Sequence, residues 1–114
     1  MKRKDRVREL VREEAGKIMQ EELNDPRLGF ITITRVEMTD DLRYAKIYYS
    51  VLGTPKQEKD TILAMNSASG FIRKLIAERI GLRFAPDISL KLDKSAKEAM
   101  RLDEIFKDIE NEHK

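Results

Sequence analysis

The sequence predicts a single α+β domain in which a β-hairpin and one further strand are covered by helices. Three observations predict it. Val7, Leu10, Val11, Ile18, Met19 and Leu23 recur near helical spacing. Two runs rich in β-branched residues, FITITRVEM (30–38) and LRYAKIYYSVL (42–52), are separated only by the turn signal TDD, as in an antiparallel hairpin. Helical spacing then returns and gives way to a last alternating run, LRFAPDISLKLD. The chain of 114 residues suits one domain, and no repeat or low-complexity linker divides it.

The first helix runs from about residue 4 to Leu23 and is ended by NDPRLG (24–29), where Pro26 lacks a donor and disfavours helix at Asp25. In the first strand the alternation drifts from an Ile31/Ile33 phase to a Val36/Met38 phase, which predicts a bulge or burial on both faces. The second strand alternates cleanly, with Ala45, Ile47, Tyr49 and Val51 on one face. Tyr44 and Tyr48 fall on the other, where covering a core edge weighs more than stacking bases. Thr54-Pro55-Lys56-Gln57 is a capping box with proline at the first helical position. The helix it opens meets Ser67-Ala68-Ser69-Gly70, where glycine costs about 1 kcal/mol relative to alanine. A second helix is expected over about 71–80, closed by Gly81 as a left-handed cap, with Arg79 snorkelling from its apolar stripe. A third strand follows from about residue 86. Ser95-Ala96-Lys97-Glu98, a second capping box, opens a last helix with Leu102, Ile105, Phe106 and Ile109 on one face. The expected order is α-β-β-α-α-β plus a C-terminal helix, with a three-stranded sheet.

Charged residues make up 39% of the chain against about 25% in an average domain. With 23 basic and 21 acidic side chains the net charge is only +2, so distribution matters more than total. Lys2, Arg3, Lys4, Arg6, Arg8 and Arg12 make the start basic, an electrostatic invitation to phosphate. The helix expected from about residue 95 is acidic and frayed. No cysteine is present, the basic start lacks the apolar core of a signal peptide, and no apolar run approaches a membrane span. A cytoplasmic protein is expected.

Catalytic chemistry has little to work with. The one histidine, His113, lies at the chain end, so a histidine-dependent triad or metal cluster is not expected. Asp40-Asp41 reads as a turn, Gly53-Thr54-Pro55-Lys56 lacks a phosphate-loop pattern, and Ser67 and Ser69 have no neighbouring base. The expectation is a non-enzyme with no cofactor and no metal.

Two helices meeting at a small-residue joint, in this element order, resemble the K-homology fold, where a G-x-x-G loop clamps single-stranded backbone. Here Ala68-Ser69-Gly70 would let phosphate approach, with Arg73 and Lys74 one turn on and a helix N-terminus to attract anions. The bland alternative is equally weighted: Gly70 merely bends two core helices, and Arg73 and Lys74 form a solvated face.

The stretches DPRLGFITITRVEMTDDLRYAKIYYSVLG (25–53) and GFIRKLIAERIGLRFAPDISLKLD (70–93), with the Ala68-Ser69-Gly70 joint, closely resemble bacterial ribosome-binding factor A. The specific marks are D-P-R-x-G, D-L-R-x-A-K and R-x-x-P-x-I/L-x-x-x-x-D in combination. The resemblance implies a K-homology-like domain with an Ala-x-Gly joint in place of G-x-x-G. It further implies binding to 16S ribosomal RNA on the immature 30S subunit, late small-subunit maturation, a cold-adaptation role, a monomer, and small-subunit assembly GTPases as candidate partners. The candidate RNA-binding residues are Lys2, Arg3, Lys4, Arg6 and Arg12 at the basic end, with Arg43 and Lys46 from the D-L-R-x-A-K strand. Ala68, Ser69, Gly70, Arg73 and Lys74 come from the joint, and Arg83 and Lys91 from the segment after it. The competing class is a protein-interaction module that docks a partner through the hairpin edge or the acidic last helix. Salt separates them, because phosphate-driven binding falls steeply with ionic strength.

Overall fold

The computed structural model describes residues 2–23, 25–95, 107 and 109. In chain order the elements are α1 (Arg3–Glu22), β1 (Phe30–Met38), β2 (Tyr44–Leu52), α2 (Pro55–Ile80) and β3 (Asp87–Leu92). The sheet order is β1-β2-β3, with β1 antiparallel and β3 parallel to β2. The parallel pairing requires a crossover, which α2 supplies. Both helices pack on one face of the sheet. Val7, Val11, Ala15, Ile18 and Met19 of α1 meet Met65, Ile72, Ile76 and Ile80 of α2 over Ile33, Val36, Ala45, Ile47, Tyr49 and Ile88.

The drift in β1 is a bulge. Pairing shifts between Ile33 and Arg35, so Ile33 faces Tyr49 while Val36 faces Ile47, and both stay buried across the phase change. Hydrophobic burial is kept on one face by leaving Thr34 out of the ladder. Its hydroxyl instead donates to the Asp93 carboxylate at 2.7 Å. The second strand begins at Tyr44, later than the expected residue 42, because Leu42 takes a left-handed φ of 61° after the Thr39–Leu42 turn. Asp41 is a turn residue as expected, accepting from the Thr39 hydroxyl and the Arg43 amide.

The capping box at Thr54 forms in both directions, with Gln57 N donating to Thr54 Oγ1 at 3.1 Å and Thr54 N to Gln57 Oε1 at 2.9 Å. Gly81 closes the helix in the left-handed region at φ 62°. Between these ends lies the main correction to the sequence reading. The two helices expected to meet at Ala68-Ser69-Gly70 are one unbroken helix of 26 residues. Gly70 stays helical because Met65 and Ile72 on either side are fully buried, and their packing outweighs one glycine's propensity cost. Ser95 is helical and its hydroxyl turns back to Asp93. The rest of the capping box expected from Ser95, and nearly all of the acidic helix expected to follow it, lie outside the described residues.

Candidate nucleic-acid interface

An unbroken α2 changes what the Gly70 region can do. Amides in mid-helix already donate to carbonyls four residues back, so no helix N-terminus and no free N–H groups stand at residue 71 to clamp a phosphate. What remains is surface. Gly70, Arg73 and Lys74 are exposed, Ala68 and Ser69 are half-buried, and Ser69 donates its hydroxyl to the Asn66 carbonyl at 2.9 Å. A Cβ at Gly70 would meet nothing within 4 Å among the described residues, so none of these neighbours requires the glycine. Arg73 and Lys74 have no carboxylate partner among the described residues.

Arg79, six residues beyond Arg73, does not snorkel. Its guanidinium lies 3.8 Å from Glu14, 3.6 Å from Glu21 and 3.9 Å from Glu22, tying the end of α2 to α1. Sequence periodicity placed it correctly on the packed side but could not show three acids waiting on another helix.

The remaining candidate contact cations are distributed over three places. On α1 and at its N-cap, Lys2, Arg3, Arg6 and Arg12 are exposed, while Lys4 is taken up by Asp40 at 2.7 Å. On the helix-free face of the sheet, Lys46 and Lys91 flank Tyr48, with Lys46 opposite Ser89 and Lys91 opposite Tyr48. Arg35, which the sequence reading did not single out, lies 4.1 Å over the Tyr48 ring, and Tyr48 donates its hydroxyl to Glu37 at 3.3 Å. The third place is a groove of about 690 Å³ between the start of α1, the β1–β2 turn and the α2–β3 loop. It brings together Arg3, Arg43 and Arg83 with Tyr44 and Phe84, and Asp41 and Asp87 stand beside them. Tyr44 therefore covers no core edge: it is 57% exposed. Arg83 and Lys91, both expected from the segment after the joint, belong to this groove and to the sheet face respectively.

Three carboxylates, Asp93, Asp25 and the groove's Asp41, titrate low because hydrogen bonds favour their charged form. Hydrogen bonds from the Ser95 and Thr34 hydroxyls and the Ser95 amide hold Asp93 at about 2, below its ordinary 3.8. In the D-P-R-x-G segment, side-chain and backbone hydrogen bonds from Arg27 hold Asp25 at about 2. That motif fixes the loop into β1: Asp25 accepts from Arg27 N, Nε and Nη2, and Gly29 lies where a Cβ would fall 2.6 Å from Val51 Cγ1. Among the described residues no group of three or more His, Cys, Asp or Glu could hold a metal ion, and no helix is long and apolar enough to cross a membrane.

Comparison with known proteins places these features in a family. The ribosome-binding factor A profile matches residues 3–106. The ribosome-binding factor A of Geobacter metallireducens is 42% identical over 97% of this chain and 94% of its own length. That of Thermomicrobium roseum is 41% identical over 96% and 85%. Among solved structures, the solution structure of a putative ribosome-binding factor A from Thermotoga maritima is 40% identical with TM-score 0.56, covering 81% of this chain and 84% of its own. The crystal structure of the Thermus thermophilus ribosome-binding factor A, with TM-score 0.63 over 76% and 92%, is 21% identical and bears on fold alone. The shared fold is K-homology-like.

Proposed function

The chain belongs to the ribosome-binding factor A family, and from that premise we propose that it is a cytoplasmic, monomeric assembly factor that binds 16S ribosomal RNA on the immature 30S subunit. In this reading it assists late maturation of the small subunit, with a role in cold adaptation, and small-subunit assembly GTPases are candidate partners. The observation that carries it is the division of the cations. Lys4, Arg8, Lys17, Arg27, Arg35, Arg43 and Arg79 are paired with carboxylates, so Lys4 and Arg43 are the two candidate contacts already engaged within the protein. Lys2, Arg3, Arg6, Arg12, Lys46, Arg73, Lys74, Arg83 and Lys91 have no carboxylate partner among the described residues, and all are exposed. Exposed cations without counter-charges are what phosphate contacts need, since releasing condensed counterions supplies the affinity.

Without a backbone clamp at Gly70, affinity comes from side-chain charge and shape over a structured RNA surface. Such a protein acts without catalysis by favouring one RNA conformation over another. The test is co-sedimentation with purified 30S and 70S particles at low and high salt. Salt-sensitive binding to 30S and not to 70S is expected. A protein contact is the second reading, favoured by Phe30 and Leu52, which face each other across the hairpin at 63% and 78% exposed. Binding that persists at high salt would move the contact to that apolar end of the sheet.

A further inference from the structure

We propose that the groove framed by Arg3, Arg43 and Arg83 captures a single unpaired nucleotide of the bound RNA, its base stacked on Phe84 or Tyr44 and its phosphates held by the arginines. This rests on the RNA-binding reading above and names the chemistry that one of its surfaces recognises. Phe84 is 80% exposed in the α2–β3 loop, and Tyr44 stands at the start of β2. One exposed ring on a surface is ordinary, but two in one groove with three guanidinium groups are not explained by packing. Aromatic faces beside basic side chains are the arrangement that holds unstacked bases and their backbone. The Arg83 guanidinium lies 5.5 Å from the centroid of the Phe84 ring, so charge and stacking surface are presented together. At about 690 Å³ the groove falls within the range of about 300–1,000 Å³ for small-molecule sites.

Charge decides what kind of nucleic acid fits. Three arginines against Asp41 and Asp87 leave one net positive charge, and Arg43 is already 3.8 Å from Asp41. A run of duplex phosphates would meet two carboxylates as well as the arginines. A lone base would not be repelled: an exocyclic amine can donate to a carboxylate, as cytosine N4 does. The groove therefore prefers an amine-bearing base, cytosine, adenine or guanine, over uracil.

The experiment compares binding of labelled oligocytidine, oligouridine and an abasic strand, each about ten nucleotides long, to the wild-type protein and to the Phe84→Ala/Tyr44→Ala double variant. The wild type should bind oligocytidine on the order of tenfold tighter than the abasic strand of equal charge, with oligouridine between them. The double variant should bind all three alike while melting as the wild type does, because both rings are exposed. Equal binding of oligocytidine and abasic strands by the wild type, or a preference that the double variant keeps, overturns the proposal. Co-sedimentation run alongside separates the two claims. A wild type that binds 30S particles without base preference overturns the groove alone, and one that binds neither overturns the assembly-factor reading with it.

Discussion

Gly29 donates its amide to the Thr61 hydroxyl at 2.9 Å, and that hydroxyl donates in turn to the Gln57 carbonyl at 2.6 Å. One fully buried side chain thus joins the loop entering β1 to the second turn of α2. Removing the hydroxyl leaves a backbone N–H without its partner inside the protein. Thr61→Val should lower stability by about 1–3 kcal/mol, read by chemical denaturation, with Thr61→Ser recovering most of it. Gly29→Ala should cost a similar amount, about 1–3 kcal/mol, because its methyl would press on Val51 Cγ1 and the Leu52 carbonyl. Wild-type midpoints for both variants would show the link to be dispensable.

Gly16 and Gly70 both sit inside helices with open space where a Cβ would go. Replacing either with alanine should raise stability by about 0.5–1 kcal/mol. The two should part on the ribosome. Gly70→Val, which puts bulk on the exposed side of α2, should reduce co-sedimentation with 30S particles, whereas Gly16→Ala should leave it unchanged. If Gly70→Val sediments as wild type does, RNA makes no close approach at that point.

Arg73 and Arg79 occupy the same helix with opposite duties. Arg73→Glu with Lys74→Glu should stay within about 0.5 kcal/mol of wild-type stability, yet lose 30S binding and flatten its dependence on salt. Arg79→Ala should do the reverse, costing up to about 1 kcal/mol from a partly exposed ion-pair network with binding intact. Melting curves and sedimentation on the same preparations check both halves. A charge-reversed protein that still binds at low salt would move the contact off α2.

Asp93 has its folded-state pKa lowered to about 2 from 3.8, by hydrogen bonds from Ser95 and Thr34. A depressed carboxylate contributes stability that is fully present above the unfolded value and is lost as pH falls through the folded one. Asp25, held at about 2 by Arg27, acts with the same sign. Melting temperature should therefore be flat near neutrality and fall between about pH 4 and pH 2. Asp93→Asn should make that fall shallower. An unchanged profile would mean that the carboxylate keeps similar partners in the unfolded chain.

Local signals were legible wherever a rule acts within a few residues. The Thr54–Gln57 box, the left-handed Gly81 and the phase drift that marks the bulge at Thr34 all appear where the sequence puts them. D-P-R-x-G is a turn-building motif, as its hydrogen bonds show, so its value as a family mark comes from structure. Gly70 misled because propensity is a weak local term and burial on the far side of the helix is not local. The Arg3–Arg43–Arg83 groove was invisible for a related reason. Its residues come from a helix start, a hairpin turn and a loop, and no period or spacing joins them. Arg79 looked the same on a helical wheel whether it reached water or three glutamates.

The parallel pairing of β3 with β2 also sets an order of events during synthesis. The hairpin can close once Leu52 has been made, but the other edge of β2 stays unpaired until all of α2 and the loop after it have followed. Through that interval the nascent protein exposes a row of unsatisfied amides and carbonyls beside Ala45, Ile47 and Tyr49, the kind of edge on which chains aggregate. Asp87–Leu92 is thus the latch that seals the sheet, and chains stopped before it should be the ones that clump.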